Sequence, residues 1–177
     1  MKKLFDTLNV DVFNDKSLLD PNGIEDKLYS LMEKKWKEEI IKKPKLRTYR
    51  LFKNNVHTEE FVSNIRCRRE RSLFSQFRHG ILPLKIETGR FKNIQLQDRI
   101  CEYCDLQEVE DETHFLCNCT LYCDIRNPLF DKACSTNHNF AGIDDKNKFS
   151  YLLMNMWQDV SKFVSHAWNI RHQYMYK

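Results

Sequence analysis

From Phe149 to Trp168 the chain reads FSYLLMNMWQDVSKFVSHAW. Its apolar residues, Phe149, Leu152, Leu153, Met156, Trp157, Val160, Phe163, Val164, Ala167 and Trp168, recur at three- and four-residue steps. That is the stripe of an amphipathic helix, with one break expected near Asn155. Neither Gly nor Pro occurs in residues 143–177 or in residues 45–79, so both stretches are expected to be largely helical. Four Gly and four Pro in 177 residues compare with about 12 % in average usage. This leaves too little turn chemistry for a many-stranded sandwich or barrel. The fold class expected is mainly α, a helical domain with a small embedded metal knuckle.

A chain of this length removes about 70 % of its extended surface from water on folding, enough for a proper core. With 41 % hydrophobic and 31 % charged residues, neither a disordered tail nor a membrane protein is expected. Leu28, Leu31, Met32, Trp36 and Ile40 predict a first helix over about Gly23 to Lys43. A second helix is expected from Thr58 as N-cap to Gly80, carrying Phe61, Ile65, Leu73, Phe74 and Phe77. Between Ile81 and Phe91, Pro83 and Gly89 interrupt an alternation that reads as a loop with a short strand. Four segments follow from this punctuation: an N-terminal helical appendage (1–43), a basic helix and loop (44–99), the knuckle (100–134), and a C-terminal helical segment packed on the rest (135–177).

Charge divides along similar lines. Residues 1–33 carry a net −3, 34–99 a net +11, 100–124 a net −7 and 125–177 a net +3. The basic segment is a candidate phosphate-binding surface, densest at Arg66, Arg68, Arg69 and Arg71, with Arg78 and Arg90 further on. On a continuous helix Arg68 would share a face with Arg71, and Arg66 with Arg69. The competing expectation is a solvated face that pairs internally with the acidic segment.

Five of seven cysteines (Cys101, Cys104, Cys117, Cys119, Cys123) fall within 23 residues, while Cys67 and Cys134 stand apart. With no signal-peptide core after Met1-Lys2-Lys3, an intracellular, reducing setting is expected, where such a cluster reads as metal ligands before disulfides. Cys101-x2-Cys104-x9-His114-x4-Cys119 supplies four donors for tetrahedral Zn²⁺. The fourth position is open on spacing alone. If Asp111 caps a helix running through Cys117, His114 and Cys117 share a face; if the helix ends sooner, Cys119 comes in. Four occupied positions imply a structural site, so no catalytic residue is assigned. A zinc hydrolase using Glu110 or Asp111 is the distant competitor, and no phosphate loop, His-Glu-x-x-His or Gly-x-Ser-x-Gly occurs.

These residues also carry a resemblance. Pro44 to Tyr49, Phe77-Arg78-His79-Gly80, Ile86 to Phe91, Asp98 to Cys104, the run Glu110-Asp111-Glu112-x-His114-Phe115-Leu116-x2-Cys119-x2-Tyr122-x3-Arg126, and Ala167-Trp168-x2-Arg171 resemble the zinc-binding region that follows the polymerase in reverse transcriptases of non-LTR retrotransposons. The resemblance spans roughly residues 44–172. It implies Cys101, Cys104, His114 and Cys119 as ligands, favouring Cys119 over Cys117, and a role in holding template RNA or target DNA for the polymerase part of a retroelement protein. The aromatic-x-Asp-Asp signature of the polymerase site does not occur, so the chain is similar to a detached C-terminal piece. A non-catalytic, zinc- and nucleic-acid-binding module (RNA or DNA) is therefore expected, with Tyr103, Phe115 and Tyr122 able to stack on bases, although the favoured place for Phe115 and Tyr122 is the small core under the zinc. The alternative is a zinc-braced protein-interaction domain that docks a partner through its C-terminal apolar helix. No membrane partner is expected.

Overall fold

The computed structural model describes residues 21–175; residues 1–20 of the expected N-terminal appendage lie outside the described residues. The chain is mainly α. Its helices are α1 (Pro21–Lys42), α2 (Glu60–Asn64), α3 (Arg68–Arg78), α4 (Lys85–Phe91), α5 (Cys123–Thr136), α6 (Asp145–Asn155) and α7 (Trp157–Met175). A π-helical turn spans His114–Asn118. Extended pairing among the described residues is limited to one antiparallel bridge, Ile100 with Val109. No helix among the described residues is long and apolar enough to cross a membrane.

The chain forms two compact units, and the first contains α1 and Asn54–His57. Within it the Tyr29 ring stacks on His57 at 5.1 Å between centroids. Ile40 of the expected apolar stripe is buried, whereas Met32 is exposed.

The second unit contains Lys45–Lys53 and everything described from Thr58 onward, so the segments expected at 100–134 and 135–177 share one compact unit, while that expected at 44–99 is divided, Pro44 and Asn54–His57 falling in the first unit. Helix α7 is its spine, with α3, α5 and α6 packed against it. Phe74, Phe77, Phe115, Phe149, Leu152, Val160, Val164 and Ala167 are at most 1 % exposed. Phe115 ties the π-turn to the helices, its ring 5.6 Å from Phe77 and 6.0 Å from Phe163. Each such ring contributes on the order of 1.5–3 kcal/mol by leaving water. Most of the 149–168 stripe is thus core of this chain, with Trp157 and Trp168 only partly buried at its margin.

Three local departures have physical causes. The expected single helix over 58–79 is two, because Ile65 and Cys67 are extended (ψ 104° and 113°). Continuing through the break would stack Arg66 over Arg69, like charges one turn apart, whereas Arg68 and Arg71 keep that spacing inside α3. Instead Arg66 leaves the helix, and the Arg71 guanidinium donates to the freed Ile65 carbonyl at 2.6 Å. Gly80, with φ 69°, ends α3 as expected: its N–H bonds Phe77 O at 3.1 Å and the Ile81 N–H bonds Gln76 O at 3.0 Å, the double bond of a Schellman end.

The second departure is α4 in place of a loop and short strand. The Lys85 N–H at its start donates to the Glu110 carboxylate at 2.7 Å, a charge that suits a helix N-terminus. Gly89 does not break this helix, because it lets Arg99 approach. A Cβ there would meet Arg99 Cγ at 2.8 Å, and Arg99 donates to Ile86 O at 2.7 Å and Ile94 O at 3.0 Å. The third is the α6–α7 break at buried Met156, one residue from the expected place. Arg78 donates at 3.0 Å to the Leu153 carbonyl left over where the α6 ladder stops.

Candidate metal centre and the arginine cluster

The hairpin that holds the first two ligands is fixed by two backbone hydrogen bonds across a reversal. Cys101 N–H donates to Glu108 O and Glu110 N–H to Arg99 O, both at 2.9 Å, and Gln107 takes a left-handed conformation (φ 55°) to close the turn. The other two ligands come from the π-turn. The Asp111 carboxylate caps it, accepting from the His114 N–H at 2.8 Å. The Cys119 N–H then reaches back five residues to His114 O at 2.8 Å. A π-turn is wider than an α-turn, and this brings Cys119 back beside His114.

The result is a cluster of Cys101, Cys104, His114 and Cys119 whose donor atoms all lie within 4.8 Å of one another. Cys101 Sγ is 3.9 Å from Cys119 Sγ, and Cys104 Sγ is 3.4 Å from His114 Nε2. In a tetrahedral thiolate and imidazole shell, neighbouring donors stand about 3.5–3.8 Å apart. None of the cysteines is in a disulfide, and the four side chains fit a metal ion. Cys117, the alternate ligand, is buried elsewhere with its Sγ 4.0 Å from Asp145 O, and burial pushes its thiol up to about 12.

Every nearby carboxylate has a defined partner. Glu108 accepts from His114 Nδ1 at 2.9 Å and from the Asn118 amide at 3.2 Å, which fixes the ring so that Nε2 faces the sulfurs. These hydrogen bonds, led by the imidazole's, hold the Glu108 carboxyl below its ordinary value. Taken without a cation, His114 is pulled down by burial, but hydrogen bonds with Cys101 and Glu108 outweigh this and lift it to about 9. The Cys119 sulfur, and then burial, push the Cys101 thiol up to about 12.

Glu110 and Glu112, both buried, clamp distant parts of the chain. Arg171 of α7 forks onto Glu110, with Nη2 to Oε2 at 2.9 Å and Nη1 to Oε1. Arg47 meets both oxygens of Glu112 at 2.7 and 2.9 Å, and the Thr48 hydroxyl adds a third bond at 3.2 Å. A Glu110 held by Arg171 and by the start of α4, and an Asp111 spent on its cap, are not free general bases. The hydrolase reading thereby loses both of its residues.

Phe115 and Tyr122 lie in the core at 0 % and 1 % exposure, 4.8 Å apart. Tyr103 is half-buried under the Arg171 guanidinium at 4.3 Å. Phe115 and Tyr122 thus take the place in the core that the sequence favours for them, and not a base-stacking surface.

The six arginines separate. Arg66 and Arg68 are exposed and make no ion pair among the described residues. Arg69 is exposed and donates to Asn169 at 2.8 Å; Arg71 is half-buried on the Ile65 carbonyl. Arg90 is exposed and pairs with Glu87 at 2.7 Å. Arg78 is 6 % exposed, paired with Glu59 and 3.9 Å from the Phe52 ring. It braces the core and offers no surface to a phosphate. Glu108 is passed over by the sequence reading, and Arg47 and Arg126 enter it only within the resemblance, without a role; Arg126 is buried and donates to Cys119 O at 2.6 Å. Glu108 lies six residues before His114, and only the hairpin return makes them neighbours. Comparison with family models, curated proteins and solved structures finds no match to this chain.

Proposed function

We propose that the chain is a zinc-braced module that binds nucleic acid through the arginine cluster at the α2–α3 break. Three sulfurs and one imidazole nitrogen at tetrahedral spacing favour Zn²⁺ over the oxygen-preferring divalent ions, and a fully protein-filled shell is that of a structural site. When bound, the ion supplies cross-linking rather than chemistry. The hairpin, the π-turn and, through Glu110 and Glu112, α7 and Arg47 are the parts it ties together.

The observation that carries the binding reading is where the basic segment's cations go. Arg47 and Lys85 of that segment pair with the acidic knuckle. Arg66, Arg68 and Arg69 remain on the surface within four residues of sequence, without a carboxylate partner among the described residues. Surface charges of one sign held together repel, and a phosphate backbone is the polyanion that relieves them. The resemblance of residues 44–172 to the region following the polymerase of retroelement reverse transcriptases points to the same ligand class.

The test is anisotropy of labelled single-stranded RNA, duplex RNA and duplex DNA titrated with zinc-loaded protein at two salt concentrations. Expected is binding that weakens steeply with salt. Arg66→Ala/Arg68→Ala/Arg69→Ala should reduce the slope of log affinity against log salt by about two to three, since each lost phosphate contact removes about 0.7–0.9. Equal affinity and slope in the triple variant would overturn the reading, as would no binding at low salt by folded, zinc-loaded protein.

A further inference from the structure

The break that exposes the arginines also opens a groove. Between it and the first turn of α7 lies a cavity of about 380 Å³ lined by Asn64, Arg66, Glu70, Trp157, Gln158 and Lys162. We propose that this groove seats one unpaired nucleotide of the strand that the arginine cluster holds; the inference rests on the nucleic-acid reading above and adds a preference for single strands.

Size is the first argument, since small-ligand sites run from about 300 Å³ upward. Its lining has the groups that a nucleotide needs. The half-buried Trp157 forms one wall, and aromatic walls hold bases of any sequence by stacking. Asn64 and Gln158 are exposed and each presents an amide donor and acceptor, the pairing that base edges match. Arg66 and Lys162, both exposed, stand in the lining as cations for the phosphate. Glu70 is the one acid there, and it is held in place: the buried Ser161 hydroxyl donates to it at 2.8 Å. A fixed carboxylate accepts from the exocyclic amino group of a base.

Placement is the second argument. Arg66 belongs both to the groove and to the cluster that continues with Arg68 and Arg69, so a backbone tracked by the cluster delivers its next nucleotide to the groove. A base inside a duplex is stacked and paired, and cannot enter a concave site without being flipped out.

The experiment compares the zinc-loaded full chain with an Asn64→Ala/Gln158→Ala variant. Fluorescein-labelled single-stranded RNA, single-stranded DNA of the same sequence, and the paired duplex of each serve as probes. The wild type should prefer the single strands, and the two single strands together show whether the 2′-hydroxyl matters. The double variant should lose about tenfold on single strands, the scale of one base contact, while its duplex affinity and salt slope stay put. Wild-type binding with a steep salt slope but no change in the double variant overturns the groove and leaves the arginine surface standing. A duplex preference does the same. No binding by the wild type overturns both. Should the double variant melt early, photo-crosslinking of wild type to a 5-iodouracil strand decides: a crosslinked peptide containing Trp157 supports the groove, and crosslinks confined to other peptides overturn it.

Discussion

The metal knuckle and the α2–α3 break are both charged, and they treat charge in opposite ways. In the knuckle Glu108 orients a ligand ring, Asp111 caps a turn, Glu110 holds the buried Arg171 and Glu112 the half-buried Arg47. At the break, three arginines within four residues stay in water with one amide between them as partner. Acidic groups built into a core serve stability; on the function proposed above, the cations left outside await a polyanion. The comparison breaks if the knuckle tolerates loss of its partners or if the break does not.

The largest effect should follow removal of the metal. Structural zinc sites contribute on the order of 10 kcal/mol of apparent binding free energy, all of it coupled to folding. Chelation or Cys119→Ala should therefore abolish the cooperative thermal transition of the second unit, followed by circular dichroism. Cys117→Ala should keep one metal ion per chain by atomic absorption and cost only packing. Loading should also release protons. His114 at about 9 and Cys101 at about 12 are protonated at neutral pH before the ion arrives, and both must lose a proton to ligate. Affinity should then rise with pH, and calorimetry in two buffers of different ionisation enthalpy should count at least two protons.

Next in size is the Glu110 clamp. Removing one partner of a buried ion pair leaves an uncompensated charge and costs about 3–5 kcal/mol. Glu110→Ala strands Arg171 and also takes the cap from α4, so its urea midpoint should fall accordingly. Glu110→Leu/Arg171→Met should recover much of that loss. If Glu110→Ala is as stable as wild type, the clamp is ornamental and the contrast between the two regions weakens.

The helical class and the candidate ligands Cys101, Cys104 and His114 were legible in the sequence because both depend on local spacing: apolar residues three and four apart, and two cysteines three apart. The convergence of Cys119 was not, since it depends on a five-residue π-turn that spacing leaves undecided between Cys117 and Cys119. The α2–α3 break was hidden because no Gly or Pro marks it; repulsion among arginines and a side chain capping Ile65 O replace the usual punctuation. Arg78 was misplaced for a related reason. It belongs to the net-basic segment 34–99, yet Glu59 and the Leu153 carbonyl, 19 and 75 residues away, draw it inward, and only tertiary structure brings them there.

A smaller effect tests the strain that the knuckle holds. Gln107 lies in the left-handed region, where an ordinary side chain costs about 1–2 kcal/mol and a β-branched one fits worst. Gln107→Val should lower the midpoint by that order, while Gln107→Gly should match or exceed wild type. Equal stability of the two would mean that the turn relaxes and the hairpin is not held by its ligands.

The smallest effect on stability is the one that sharpens the comparison most. Arg66→Ala/Arg68→Ala/Arg69→Ala removes one exposed hydrogen bond, Arg69 to Asn169, and no ion pair among the described residues. Exposed substitutions of this kind usually stay within about 0.5 kcal/mol each. Relief of like-charge repulsion works in the opposite direction, so the triple variant should melt with or slightly above the wild type. If it melts well below, the arginines are structural, and their affinity loss no longer reports a phosphate contact. If it melts level while losing salt-dependent binding, stability and binding have been separated onto two sites of one compact unit. Their charges then differ because one set is neutralised during folding and the other only when a polyanion arrives.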